Sequence, residues 1–109
     1  MTKNLSELGE KEIIQKLREF MPNGQADDDT AELKISEGKI LINTDVMVEG
    51  VHFKLDYTSW RELGWKSFAS NLSDIAAMGC QATYAVVTLG VRGDIEVNSL
   101  LDLYEYYLF

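Results

Sequence analysis

The sequence predicts an α+β domain in which helices cover one face of a mostly antiparallel sheet. Apolar residues alternate or cluster in four short segments, and three longer segments carry them at helical spacing. The segments run in the order helix, three strands, helix, strand, helix, which favours a sheet with helices packed on it. The 109 residues suffice for one domain, and we expect residues 1–109 to form it.

Three helices follow from spacing and end signals. In residues 10–20, isoleucine, leucine and phenylalanine recur every three or four positions with charges between them. Ser59 and Glu62 have the spacing of a capping box, which predicts a helix start, and Gly79 suits a left-handed helix end. A last amphipathic helix should begin near residues 94–98 and run to the end of the chain.

Four segments have the composition of strands. Ala31, Leu33 and Ile35 alternate with polar residues, and residues 36–39 then read as a hairpin-like turn. Three further strands are predicted in apolar segments, at residues 40–45, 50–55 and 82–91.

Charge narrows the classes of partner. The chain carries 18 acidic and 10 basic residues, for a formal net charge of −8. We therefore expect no nucleic-acid partner and no membrane partner, because polyanions repel an acidic surface. Cys80 is the sole cysteine and fits a reducing compartment, and no leader or membrane-length apolar segment is evident. A cytoplasmic protein is expected.

Four polar features are candidates for chemistry, and three of them have a simpler structural explanation. The acidic run at residues 27–29 could be a solvated turn, and Asn43-Thr44-Asp45 could be an Asx turn at a strand end. Asn71-Leu72-Ser73-Asp74 places three poor helix formers inside a predicted helix, which propensity does not explain. His52 alone is more often a structural histidine than a ligand.

The carboxylates would indicate a metal site if they lie close together in the folded chain. Two carboxylates about 4 Å apart repel by about 4 kcal/mol at an effective dielectric of 20, so Asp28 or Asp29, Asp45 and Asp74 would need compensation. Carboxylate and hydroxyl oxygens suit Mg²⁺ better than Zn²⁺. If they converge, these residues by themselves indicate a Mg²⁺–phosphate site. No GxxxxGK[ST] loop is present, so the site would not be of the P-loop class.

Several longer motifs carry a family resemblance. The segments LSELGEKEII, DDTAEL, NTDVMVEGVHF and LGWKSFASNLSDIAAMGC together span almost the whole chain. They resemble the N-terminal domain of thiamine-monophosphate kinase, in the superfamily that includes aminoimidazole ribonucleotide synthetase and selenophosphate synthetase.

This resemblance implies an enzyme that phosphorylates thiamine phosphate to thiamine diphosphate with ATP and several Mg²⁺ ions. It also implies a homodimer formed through sheet edges, with the sites near the two-fold axis. His52 matches a substrate-contacting histidine. The positions that match metal-binding positions are Asp28, Asp29, Asn43, Thr44, Asp45 and Asp74.

The chain also departs from the pattern. Gln25-Ala26-Asp27 stands where glycines usually precede the aspartate pair, and Glu32 replaces an apolar residue. The sequence stops before the Gly-Gly-Asp segment and the C-terminal domain, so we expect this chain alone to be weak or inactive as a kinase. The alternative is a catalytically incomplete relative that acts as a dimerising Mg-nucleotide-binding module. Another superfamily member with a different phosphate acceptor is a third possibility.

Overall fold

The computed structural model describes residues 3–21 and 33–105. Within these ranges the regular structure consists of four α-helices and one 3₁₀ helix. The elements are α1 (Leu5–Leu8), α2 (Glu10–Leu17), the 3₁₀ helix Arg18–Phe20, α3 (Trp60–Ala77) and α4 (Val97–Tyr104).

The ends of α3 follow the sequence signals. Ser59 Oγ accepts a hydrogen bond from the Glu62 N–H at 3.0 Å, and the Ser59 N–H donates to the Glu62 carboxylate at 3.0 Å. After the helix, Gly79 adopts φ +73° and its N–H donates to the carbonyl of Ala76 at 2.9 Å. The predicted capping box and left-handed end are therefore confirmed.

The core lies where α3 packs against α4. Gly64 brings the two backbones together: a Cβ placed there would overlap the carbonyl oxygen of Leu103 and lie 2.9 Å from its carbonyl carbon. Arg61 at the start of α3 forms an ion pair with Glu105 just beyond α4. The buried apolar side chains are Leu5, Leu17, Leu63, Val97, Leu100, Leu103 and Tyr104.

The beginning of the chain is bound to the segment that precedes α4. Asn4 and Glu96 form an isolated antiparallel bridge. Backbone N–H groups donate from Leu5 to Ile95 at 2.8 Å, from Ser6 to Gly93 at 2.9 Å and from Val97 to Lys3 at 2.8 Å. These bonds place α1 beside the start of α4, where Leu5 joins the core.

The predicted antiparallel sheet is wrong. Among the described residues, the structure has no strand, and β-type pairing is limited to two isolated bridges, Asn4 with Glu96 and Glu49 with Phe53. Residues 40–45 and 82–91 have no regular structure, and much of the predicted strand at 50–55 is a turn. The apolar pattern indicates that these side chains favour burial. A strand also needs a backbone partner in register, which the pattern does not specify.

The other predicted helices are confirmed in the described residues. The leading helix is present as α2 and its 3₁₀ extension, and the last helix is present as α4. The short helix α1 was not predicted. The continuation of the last helix over 106–109 and the start of the first predicted strand at Ala31 lie outside the described residues.

Among the described residues, no helix combines the length and the apolar character needed to cross a bilayer.

Gly64 gives a direct test of the helix crossing. We expect Gly64→Ala to lower the free energy of unfolding by about 1–3 kcal/mol, because the added methyl group must push α3 away from the Leu103 backbone. The matched control is Gly90→Ala, since a Cβ there meets no atom within 4 Å. Urea denaturation followed by circular dichroism measures both, and equal stability of the two variants would contradict this packing.

Candidate functional site

Residues 43–53 contain most of the predicted site residues that the structure describes. Asn43, Thr44 and Asp45 lie at the start of this segment, and His52 lies near its end. Asn43 is partly buried, whereas Thr44, Asp45 and His52 are exposed. The segment runs alongside α3, and two side chains of that helix contact it.

The second half of the segment is a tight turn. The N–H groups of Val51 and His52 both donate to the carbonyl of Val48, at 3.0 and 2.9 Å. Gly50 adopts φ +85°, and its N–H donates to the carbonyl of Phe53 at 2.7 Å. That positive φ favours glycine and explains the presence of Gly50 in the motif. We name residues 48–53 the histidine turn.

The His52 ring closes the histidine turn. The Val48 N–H donates to Nδ1 of His52 at 3.0 Å. Because Nδ1 is an acceptor here, the neutral imidazole must carry its proton on Nε2. The ring therefore offers one N–H donor on its other side, suited to an anionic oxygen.

Lys66 of α3 fastens the histidine turn to the helix. Its Nζ donates to the carbonyl oxygen of His52 at 2.7 Å. Phe53, the next residue, packs against the hydrophobic core. The turn is thus held on α3 by a charged hydrogen bond and on the core by an aromatic ring.

Asn71 holds the other end of the segment. Nδ2 of Asn43 donates to Oδ1 of Asn71 at 2.8 Å, and Nδ2 of Asn71 donates to the carbonyl of Ser67 at 2.8 Å. Both ends of the Asn71 amide are therefore used. Asp74 lies three residues further along α3, and side chains at that spacing are neighbours on a helix surface. The contact from Asn43 therefore meets α3 about one turn before Asp74.

Only some of the predicted metal ligands lie within the described residues. Asp28 and Asp29 lie outside the described residues. In the described ranges, no group of three or more histidine, cysteine or acidic side chains is arranged to hold a metal. Asp45 and Asp74 are exposed, and neither forms an ion pair with another described residue. Oδ1 of Asp45 accepts the Val46 N–H at 2.9 Å.

Arg92 connects the histidine turn to the loop before α4. Its Nε donates to Asp94 at 3.0 Å and one terminal nitrogen donates to Glu49 at 3.3 Å. The hydrogen bond to Asp94 raises the pKa of Arg92, and the negative charges of Asp94 and Glu49 add to this effect. All three side chains are exposed, so the ion pairs orient the turn more than they stabilise the fold.

Sequence reasoning did not identify Lys66 or Arg92, and it noted Asn71 only as part of the polar run from Asn71 to Asp74, not as a site residue. The unusual presence of asparagine within a helix was a usable signal for Asn71, because such a residue needs a reason beyond propensity. A lysine in an amphipathic helix and an arginine in a loop carried no such signal.

Comparison with known proteins identifies the family. The model for the AIR synthase related protein, N-terminal domain, matches residues 27–105. The chain belongs to this family. The match covers the acidic run at 27–29, the segment 43–53 and Asp74, so every predicted site residue lies within the family domain.

Several curated relatives of this AIR synthase related domain are named thiamine-monophosphate kinase. The protein from Prochlorococcus marinus is 45% identical over 87 residues, which are 80% of this chain and 26% of the relative. The Synechococcus elongatus protein is 36% identical over 104 residues, covering 94% of this chain and 32% of the relative. The Aquifex aeolicus protein is 35% identical over 100 residues, or 92% of this chain and 32% of the relative.

The chain spans about a quarter to a third of the length of these relatives. No solved structure gave a significant match. The resemblance to the thiamine-monophosphate kinase family is thus confirmed for the sequence of the N-terminal domain.

The hydrogen bond within the histidine turn predicts the tautomer of the His52 ring, which NMR spectroscopy can test. Since His52 is the only histidine, its two ring nitrogens can be assigned without ambiguity in long-range ¹H–¹⁵N spectra. In the neutral ring we expect the tautomer with the proton on Nε2, because Nδ1 accepts the Val48 N–H. A spectrum that places the proton on Nδ1 would contradict the hydrogen bond.

Proposed function

We propose that this chain is the N-terminal domain of a thiamine-phosphate kinase. In that reaction the γ-phosphoryl group of ATP is transferred to the phosphate of thiamine phosphate, giving thiamine diphosphate and ADP. The observation that carries the proposal is the 45% identity over 80% of the chain with a protein named thiamine-monophosphate kinase. The anchoring of segment 43–53 on α3 supports it, because both ends of that segment carry residues suited to phosphate chemistry.

The donor set fits Mg²⁺. Asp45 and Asp74 are accessible carboxylates without a cationic partner among the described residues, and Thr44 adds a hydroxyl oxygen. Hard cations prefer such oxygen ligands. Mg²⁺ held by these residues would offset the negative charge of bound phosphates. We propose Asp28, Asp29, Asn43, Thr44, Asp45 and Asp74 as the residues that bind Mg²⁺ and, through it, the phosphates of ATP.

His52 is proposed to contact thiamine phosphate. With Nδ1 occupied by the Val48 N–H, the Nε2–H group is the ring's remaining donor, and a phosphate oxygen is a suitable acceptor. The exposed ring is accessible to a ligand. His52 therefore binds and orients the acceptor substrate, in a protein that we place in the cytoplasm.

A second copy of the chain is the proposed partner. Most apolar side chains of residues 33–48 and 84–91 are exposed, with Ile42 at 84% and Val86 at 83%. Exposed apolar side chains in this number favour association with another protein surface. The homodimer proposed here uses this apolar surface, because the sheet edges first expected to form the interface are absent from the described residues.

The metal site is tested by nucleotide binding. We expect Mg²⁺-dependent binding of a non-hydrolysable ATP analogue in calorimetric titration, and Asp45→Asn should weaken it roughly tenfold or more, because a ligand charge is lost. Asp102→Asn on α4 is the control, since it removes an exposed carboxylate away from segment 43–53. Equal affinities of the two variants would refute the role of Asp45. Absence of binding by the unaltered chain would refute the Mg-nucleotide role of this domain.

The dimer is tested by sedimentation equilibrium. We expect a mass of about twice the 12.3 kDa of one chain, and the double variant Ile42→Lys, Val86→Lys should sediment as a monomer because buried cations oppose association. Each copy carries a net charge of −8, so added salt should strengthen association by screening repulsion. Gln15→Lys on α2 is the control for added charge. A monomeric unaltered chain at high concentration and high salt would contradict this interface.

A further inference from the structure

We propose that Lys66 and Asn71 are positioning residues, which hold the two ends of segment 43–53 independently and so set the affinity for the two substrates. Lys66 fixes the histidine turn that carries His52, and Asn71 fixes Asn43 and the Thr44-Asp45 pair that follows. This inference rests on the proposed function for its consequence in binding. Its structural part, that each side chain controls one end of the segment, stands on the geometry alone.

The two anchors are separate points on α3. They are five residues apart, which on an α-helix is roughly 7.5 Å along the axis and roughly 140° around it. The side chains therefore approach segment 43–53 from different positions, and neither can take over the contact of the other. With both contacts made, the segment is held at two points and its two ends keep a fixed separation.

Lys66 acts on the backbone. Its ammonium group donates to the carbonyl oxygen of His52, which fixes the peptide plane after that residue and hence the base of the ring. A hydrogen bond from a charged donor is stronger than one between neutral groups. Because Lys66 is exposed, it contributes to the placement of the turn and little to the core.

Asn71 works through both ends of its amide. The oxygen accepts from Asn43 while the nitrogen donates to the carbonyl of Ser67 within α3, so the helix holds the amide in the orientation that receives Asn43. Only an amide supplies an acceptor and a donor at this length. An aspartate would keep the acceptor and lose the donor, and an alanine would lose both.

The core does not need either residue. The buried side chains between α1, α2, α3 and α4 are apolar and include neither Lys66 nor Asn71. We therefore expect variants at both positions to fold. That separates positioning from general stability, since only a local change should follow.

The experiment compares Lys66→Met and Asn71→Ala with matched controls. Lys11→Met removes an exposed lysine from α2, and Ser73→Ala removes an exposed polar side chain from α3. In Lys66→Met we expect the Val48 amide proton to exchange about tenfold faster and the His52 ¹⁵N signals to shift, while the Asn43 side-chain amide is unchanged. In Asn71→Ala we expect the reverse pattern. Lys66→Arg, which keeps a cationic donor, should restore the Val48 protection.

Binding measurements then separate the two ends of the segment. Lys66→Met should weaken thiamine phosphate binding about tenfold, and Asn71→Ala should weaken Mg²⁺-dependent binding of the ATP analogue by a similar factor. If the unaltered chain binds neither ligand, the proposed function fails, and the exchange data still decide whether each residue holds its end of the segment. Unchanged exchange at Val48 in Lys66→Met and at Asn43 in Asn71→Ala would overturn the inference. A uniform loss of protection across the chain would also overturn it, because that pattern reports a purely structural role.

Discussion

The close approach of α3 and α4 at Gly64 is the constraint on which the rest of the structure depends. Because the backbone of α3 at Gly64 lies against the carbonyl of Leu103, this contact sets how closely the two helices approach. The apolar side chains of both helices then enclose Leu100, which is 2% exposed. With α3 fixed in this way, its polar side chains lie at fixed positions, and segment 43–53 is built on them. The site thus inherits its geometry from one glycine in the core.

The division of work within α3 explains its composition. Leu63 and Gly64 serve the core at the start of the helix, whereas Lys66 and Asn71 receive hydrogen bonds or donate them to the preceding segment. Serine and asparagine also return hydrogen bonds to the helix backbone, from Ser67 to Gly64, from Ser70 to Ser67 and from Asn71 to Ser67. These bonds satisfy the polar side chains locally, which is why the helix tolerates residues of poor propensity.

Local features of the structure were predictable from the sequence and non-local pairing was not. The capping box of Ser59 and Glu62 and the left-handed Gly79 involve groups within four residues, so the sequence alone specifies them. The strand predictions at residues 40–45 and 82–91 were wrong because an apolar pattern indicates that a segment favours burial but does not specify the segment that it pairs with. The predicted approach of Asp45 to Asp74 stays a prediction, and the structure shows instead a hydrogen bond that links Asn43 to Asn71. That link joins residues 28 apart, which no local rule predicts.

The hydrogen bonds between the first residues and the segment before α4 have a consequence for how the chain folds. Lys3, Leu5 and Ser6 bind residues roughly ninety positions away, and Leu5 shares a core with Leu103. On a ribosome, which delivers the chain from its N-terminus, α1 and α2 emerge long before the residues that bury them. The core therefore cannot close until α4 has been synthesised, and the high sequence separation of these contacts favours slow folding. Until then the apolar side chains of α2 lack the residues of α4 that cover them.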